Sequence, residues 1–149
     1  MWARWAVIDP VAALWLALLT GLADAWNAHA RAGVRAKLAD DVVVDDYRRT
    51  GLGRIEGADA YMDSIAVLWD LAPNQGIEFG WSWPAFDRHA AVVTLRREGT
   101  LVDGGAFEND YLWLGVAEHG RLTRLELFEP EDLDAALARF EALRPAPST

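Results

Sequence analysis

DGGAFENDYLWLGVAEHGRLTRLELFEPEDLDAALARFEALRP, residues 103–145, is the stretch that decides the fold. From Gly104 to Ala117 it reads as one long strand. Phe107, Asn109, Tyr111 and Trp113 share a face there, because successive strand side chains point to opposite sides. Glu118-His119-Gly120-Arg121 is a turn, and Leu122 to Glu129 returns as the last strand, carrying Leu125 and Leu127. Pro130 opens a helix with Glu131 and Asp132 in its first turn, where acids suit the helix dipole. Leu133, Leu137, Phe140 and Leu143 form its apolar face, and Pro145 and Pro147 end it.

Working back from this unit, His89 to Arg97 reads as a strand. Ile77, Phe79, Trp81 and Trp83 alternate with Glu78, Gly80 and Ser82 in another. Ala58 to Ala72 is a helix with Tyr61, Ile65, Leu68, Trp69 and Ala72 at helical spacing, stopped by Pro73. Thr50 to Gly57 holds three glycines and reads as a loop, and ADDVVVDDYR (39–48) as a strand of β-branched density. A long helix from Pro10 to about Ala32 and a short one over Val34 to Leu38 complete the chain. The order α-α-β-α-β-β-β-β-α clusters helices early and strands in a run, which is the α+β pattern. The expected architecture is a curved, mostly antiparallel sheet wrapped around the N-terminal helices, forming a cone-shaped apolar cavity, with a C-terminal helix. Residues 1–149 make one domain, with 1–9 as an N-terminal extension and 145–149 as a tail.

Composition narrows the function. The chain has 23 acids against 14 bases and a net charge of −9, which argues against nucleic acid and anionic membrane surfaces as partners. It has no cysteine, which excludes disulfides, thiolate zinc sites and cysteine nucleophiles. His29, His89 and His119 form no metal-binding spacing, so no metal is expected. Gly51-Leu52-Gly53-Arg54-Ile55-Glu56-Gly57 misses the dinucleotide fingerprint, because Glu56 stands where the third glycine is needed. Eight tryptophans are the unusual count; that much rigid aromatic surface fills a core, lines a pocket or covers an interface. Trp2 and Trp5 find no role.

The stretch 4–25 has the outline of a secretory signal: Arg4, an uncharged run from Val11 to Ala23, and Ala23-Asp24-Ala25. It reads instead as a buried first helix with Asp9 as N-cap and Pro10 at the first helical position, and the protein as cytoplasmic. Asp45 and Asp46 are neighbours on a strand, so one faces inward and the other outward. Asn109, a polar side chain in an aromatic row, either satisfies a protein neighbour or meets a ligand.

The order of elements resembles the nuclear transport factor 2-like superfamily, and three stretches resemble its SnoaL-like branch: LADAWNAHARAGVRAKLADDVVVDDYR (22–48), GRIEGADAYMDSIAVLWDLAPN (53–74) and residues 103–145. That superfamily holds ketosteroid isomerases, scytalone dehydratases, limonene-epoxide hydrolases and polyketide cyclases, together with non-catalytic binding domains. The resemblance implies a homodimer, a small hydrophobic molecule as partner and no cofactor. It puts the isomerase general base at Asp46, the dehydratase tyrosine at Tyr47 and the oxyanion-stabilising group at Asn109. Both Asp46 and Tyr47 cannot face inward on a regular strand. The oxyanion tyrosine of the isomerases should come from the first helix, where this chain has Trp26 and Asn27. Trp26, Asn27, Trp69, Trp81, Trp83, Phe107, Tyr111, Trp113, Leu125 and Leu127 are the expected pocket wall. The implied function is a cofactor-free acid–base enzyme of isomerase, dehydratase or cyclase type; the alternative is a non-catalytic ligand-binding or dimerisation module.

Overall fold

A computed structural model describes residues 9–80 and 82–145. Helix α1 (Pro10–Asn27) starts where Asp9 accepts hydrogen bonds from the backbone N–H groups of Val11 and Ala12. This is the N-cap the sequence predicts. Ala12, Trp15, Leu19, Leu22 and Trp26 form its buried stripe, while Leu14 on the other side is 60% exposed. Among the described residues no helix is long and apolar enough to cross a membrane. The helix ends earlier than expected, at a left-handed turn centred on His29 (φ 52°). The short helix α2 (Arg31–Arg35) follows. Gly33 lies inside α2, and a β-carbon there would crowd Ala25 of α1, so this glycine lets the two helices touch.

Strand β1 (Leu38–Asp46) is followed by a short strand that glycine density concealed, β2 (Gly53–Glu56), antiparallel to it. Helix α3 (Ala58–Leu71) leads to β3 (Gly76–Phe79), β4 (Ala85–Phe86), β5 (Ala90–Thr100), β6 (Ala106–Glu118) and β7 (Arg121–Phe128). A 3-10 turn at Pro130–Asp132 enters helix α4 (Leu133–Ala142). The strand predicted over 77–83 is cut at Gly80, whose φ of 94° only glycine adopts readily. Trp81 lies outside the described residues, as do Trp2 and Trp5.

The sheet order is β2-β1-β7-β6-β5-β3, with β4 also pairing β5; among the described residues only β1 and β7 run parallel. This curved, unclosed sheet has two apolar faces. The concave one holds Ala91, Val93, Leu95, Tyr111, Trp113, Leu125 and Leu127 against α1, α2 and α3. The convex one places Ala90, Val92, Leu112, Leu114, Val116 and Phe128 under Ala136 and Phe140 of α4. The alternation of β5 to β7 thus feeds two cores at once. Helix α4 therefore covers part of the outer sheet face.

Candidate functional site

Between the concave face, α1 and α3 lies a small cavity of about 70 Å³. Its deep wall is apolar: Leu22, Trp26, Leu95, Trp113, Leu125 and Leu127 are among its lining residues. Its polar groups are Asp46 at the end of β1, Arg48 just beyond it, Tyr61 and Ser64 on α3, Arg97 on β5 and Tyr111 on β6.

Asp46 and Arg48 dominate the mouth. The Arg48 guanidinium donates to both carboxylate oxygens, Nε to Oδ1 at 2.9 Å and Nη2 to Oδ2 at 2.8 Å. The Arg48 and Leu52 backbone N–H groups also donate to the carboxylate, at 3.2 and 3.3 Å. The loop 47–52 therefore folds around Asp46, and a β-carbon at Gly51 would collide with its carboxylate. The side chains of Asp46 and Arg48 are 3% and 17% exposed. Arg48 also lies over the Tyr111 ring, 4.3 Å from its centroid. Burial is the largest influence and pushes the Arg48 guanidinium down, but the Asp46 hydrogen bond together with the charge interactions of Tyr111, Asp46 and Glu129 outweighs it, and the net shift is upward. Among the described residues the phenol oxygens of Tyr61 and Tyr111 have no hydrogen-bond partner. Burial raises both phenols, with Asp46 adding to it, so both remain protonated donors.

The sequence candidates separate in space. Asp46, Trp26, Tyr111, Trp113, Leu125 and Leu127 line the cavity as expected. Asp45, on the opposite face, accepts Arg54 (2.9 and 3.0 Å) and Arg124 (2.9 Å). That arrangement holds it well below the usual carboxylate range, through the Arg54 hydrogen bond first, against opposing burial. Tyr47 follows Asp45 to the outer face. It is half exposed and packs on Phe128 at 5.1 Å between ring centroids, so it does not reach the cavity. Asn109 is exposed and lines a separate groove with Phe107, because β6 runs beyond the cavity's edge. Asn27 is structural: its amide donates to the Ile77 carbonyl at 3.0 Å and accepts from the Ile77 N–H at 2.7 Å. Trp69 stacks on His29 (4.7 Å, 10°) beside Trp26, behind the cavity. Trp83 lines another groove, with Leu16, Thr20 and Phe79.

Arg48, Tyr61 and Arg97 were not singled out from sequence. Tyr61 was visible as a core-facing helix residue. Arg48 and Arg97 looked like ordinary strand-end charges. No group of metal-ligating side chains occurs among the described residues.

No family model and no curated protein matches the sequence. Solved structures do share its fold. RV0760c of Mycobacterium tuberculosis, in complex with estradiol-17beta-hemisuccinate, matches with a TM-score of 0.66 at 18% identity, over 78% of this chain and 94% of that one. A nuclear transport factor 2-like protein of unknown function from Burkholderia pseudomallei matches at 0.64 and 20%, over 81% and 95%. TerC, co-crystallised with polyporic acid, matches at 0.64 and 16%, over 83% and 97%. The chain has the nuclear transport factor 2-like fold.

Proposed function

We propose that this chain binds a small apolar molecule bearing a carbonyl or acidic oxygen in the cavity that Asp46 and Arg48 close. The observation that carries the reading is the buried, bidentate Asp46–Arg48 pair at the mouth of an aromatic-walled cavity. Taking both charges out of water is costly and is offset only by good geometry, so a pair of this kind is a poor choice for stability alone. It serves well as a closure that a ligand can replace. The void of about 70 Å³ is below the ~150 Å³ that holds a benzene molecule. Occupancy therefore requires Arg48 and the loop 47–52 to move aside. RV0760c and TerC, of the same fold, were crystallised with estradiol-17beta-hemisuccinate and with polyporic acid, which supports a ligand of this kind.

A second reading, acid–base catalysis without a cofactor, is favoured by the two phenols. Protonated donors on Tyr61 and Tyr111 suit an oxygen that gains negative charge during reaction, and Asp46 is the carboxylate nearest to hand as base. In the closed state four N–H groups occupy its oxygens, so it can accept a proton only after Arg48 has been displaced. Tyr47 and Asn109 have no part in this chemistry.

Titration with 2-acetylnaphthalene tests the binding reading. Saturable shifts of the Trp26 and Trp113 indole N–H resonances are expected, because both rings line the cavity. Shifts confined to exposed residues up to the solubility limit would overturn it.

A further inference from the structure

We infer that Arg97 is an anion-recognition residue, and that the groove on its outer side is a second site, next to the closed cavity, that holds the ring of an aromatic carboxylate. This goes beyond the binding reading above.

Arg97 projects from the concave face of β5 and lines two spaces at once, the closed cavity and a neighbouring groove of about 240 Å³. Leu68 is shared in the same way, so Arg97 and Leu68 form the partition between them. The groove exceeds the ~150 Å³ that accommodates benzene. Its sides are apolar, with Leu71, Leu101 and Phe107, and Leu71 and Leu101 are exposed large hydrophobics.

The electrostatics of the partition call for an anion. In a chain with 23 acids and 14 bases, Arg97 is half-buried yet has no carboxylate partner among the described residues. Its one hydrogen bond goes to a neutral amide, Nη1 to Gln75 Oε1 at 3.0 Å, and its guanidinium lies 5.1 Å from the Phe107 ring centroid. A guanidinium has five N–H donors, and one is spent here. Asp46 faces it across the cavity, but that carboxylate is taken by Arg48. Burial and the nearby Arg48 charge both push Arg97 down, the cost of a cation awaiting compensation.

Arg97 is also held in place. Gln75 is 2% exposed, and its amide nitrogen donates to the Leu68 carbonyl while its oxygen faces Arg97. A β-carbon at Gly99 would meet Gln75 at 2.8 Å, so a glycine there lets the α3–β3 connection press against β5. A planar, pre-positioned fork with free donors matches a carboxylate. Asn109 at the groove's rim adds an amide donor. Phe107 and Leu71 give the ring its apolar walls. The two residues that sequence placed in the cavity, Phe107 and Asn109, thereby join the site from its outer side.

The test compares two probes with the same ring system, 2-naphthoate and neutral 2-acetylnaphthalene, on the wild-type chain and on Arg97→Gln. In the groove, read from the Phe107 and Asn109 resonances, wild type is expected to bind the carboxylate about tenfold or more tighter than the ketone, the value of a hydrogen bond to a charged group. Arg97→Gln is expected to lose that preference while keeping the ketone's affinity. Equal affinities in wild type would overturn the anion assignment and leave the cavity reading standing, whether or not the variant folds. A preference that survives in Arg97→Gln would move the anion to Arg48 and overturn it too. If neither probe binds, the cavity reading fails and this inference with it.

Discussion

Asp46 and Arg48, two positions apart, turn back on each other so that one guanidinium grips both oxygens of one buried carboxylate, at 2.9 and 2.8 Å. The chain leaves β1 at Asp46, and Arg48 returns across the mouth of the cavity instead of continuing the strand. Closure and candidate chemistry are therefore the same contact.

Removing one member should be far worse than removing both. Asp46→Asn leaves a guanidinium 17% exposed without its anion, and should cost about 3–5 kcal/mol in denaturant unfolding. Asp46→Leu combined with Arg48→Met should recover most of that loss. A double variant no more stable than Asp46→Asn would mean that the pair is not a self-contained unit.

The site's legibility in the sequence follows from what periodicity can and cannot say. Period-2 alternation placed Asp45 and Asp46 on opposite faces and put Tyr111 and Trp113 inside. The same alternation put Phe107 and Asn109 on the correct face but could not say where β6 passes the edge of α3. Tyr47 has the parity of Asp45, so an inward Asp46 already sends Tyr47 outward. The reach of Arg48 back to Asp46 depends on a loop, and β2 on three glycines; neither leaves a periodic trace. Arg97 looked like a solvated strand end because nothing in one strand shows that Gln75 and α3 pack beside it. Asp9-Pro10, by contrast, is a local signal, and α1 starts as it dictates.

Asp45 gives the acid limb of stability a specific source. Its carboxyl is lowered by Arg54 and Arg124. The unfolded chain thus binds a proton that the folded chain refuses, and the stabilisation is present above about pH 4. It is lost as pH falls below that through the folded value. Asp45→Asn should flatten the stability profile in that window, measured by urea unfolding at several pH values, and leave its slope near neutrality unchanged.

The alkaline limb belongs to the phenols. Burial raises Tyr47, Tyr61 and Tyr111 alike. The folded chain retains protons that the unfolded chain releases at about pH 10, so stability should fall as pH rises past that point. Ultraviolet titration should show no phenolate forming at the ordinary value while the chain is folded, and three forming in denaturant. A full-amplitude transition near pH 10 in the native protein would contradict this.

Glu126 ties α4 to the sheet. Its fully buried carboxylate accepts Arg139 at 2.8 Å through each oxygen, and Arg124 at 3.0 Å. Glu126→Gln should cost about 1–3 kcal/mol; Arg139 is partly exposed and can turn to water, which keeps the loss below that at Asp46. Hydrogen exchange should speed first in α4, by local opening. Uniform acceleration across the sheet would mean that α4 does not dock as a separate unit.

The most direct measurement is a crystal structure of the chain grown with 2-acetylnaphthalene. Ligand density is expected against Trp113 and Tyr111, with Arg48 turned away from Asp46 and the loop 47–52 displaced. Density only on the outer surface, with Asp46 and Arg48 still paired over a closed cavity, would contradict it.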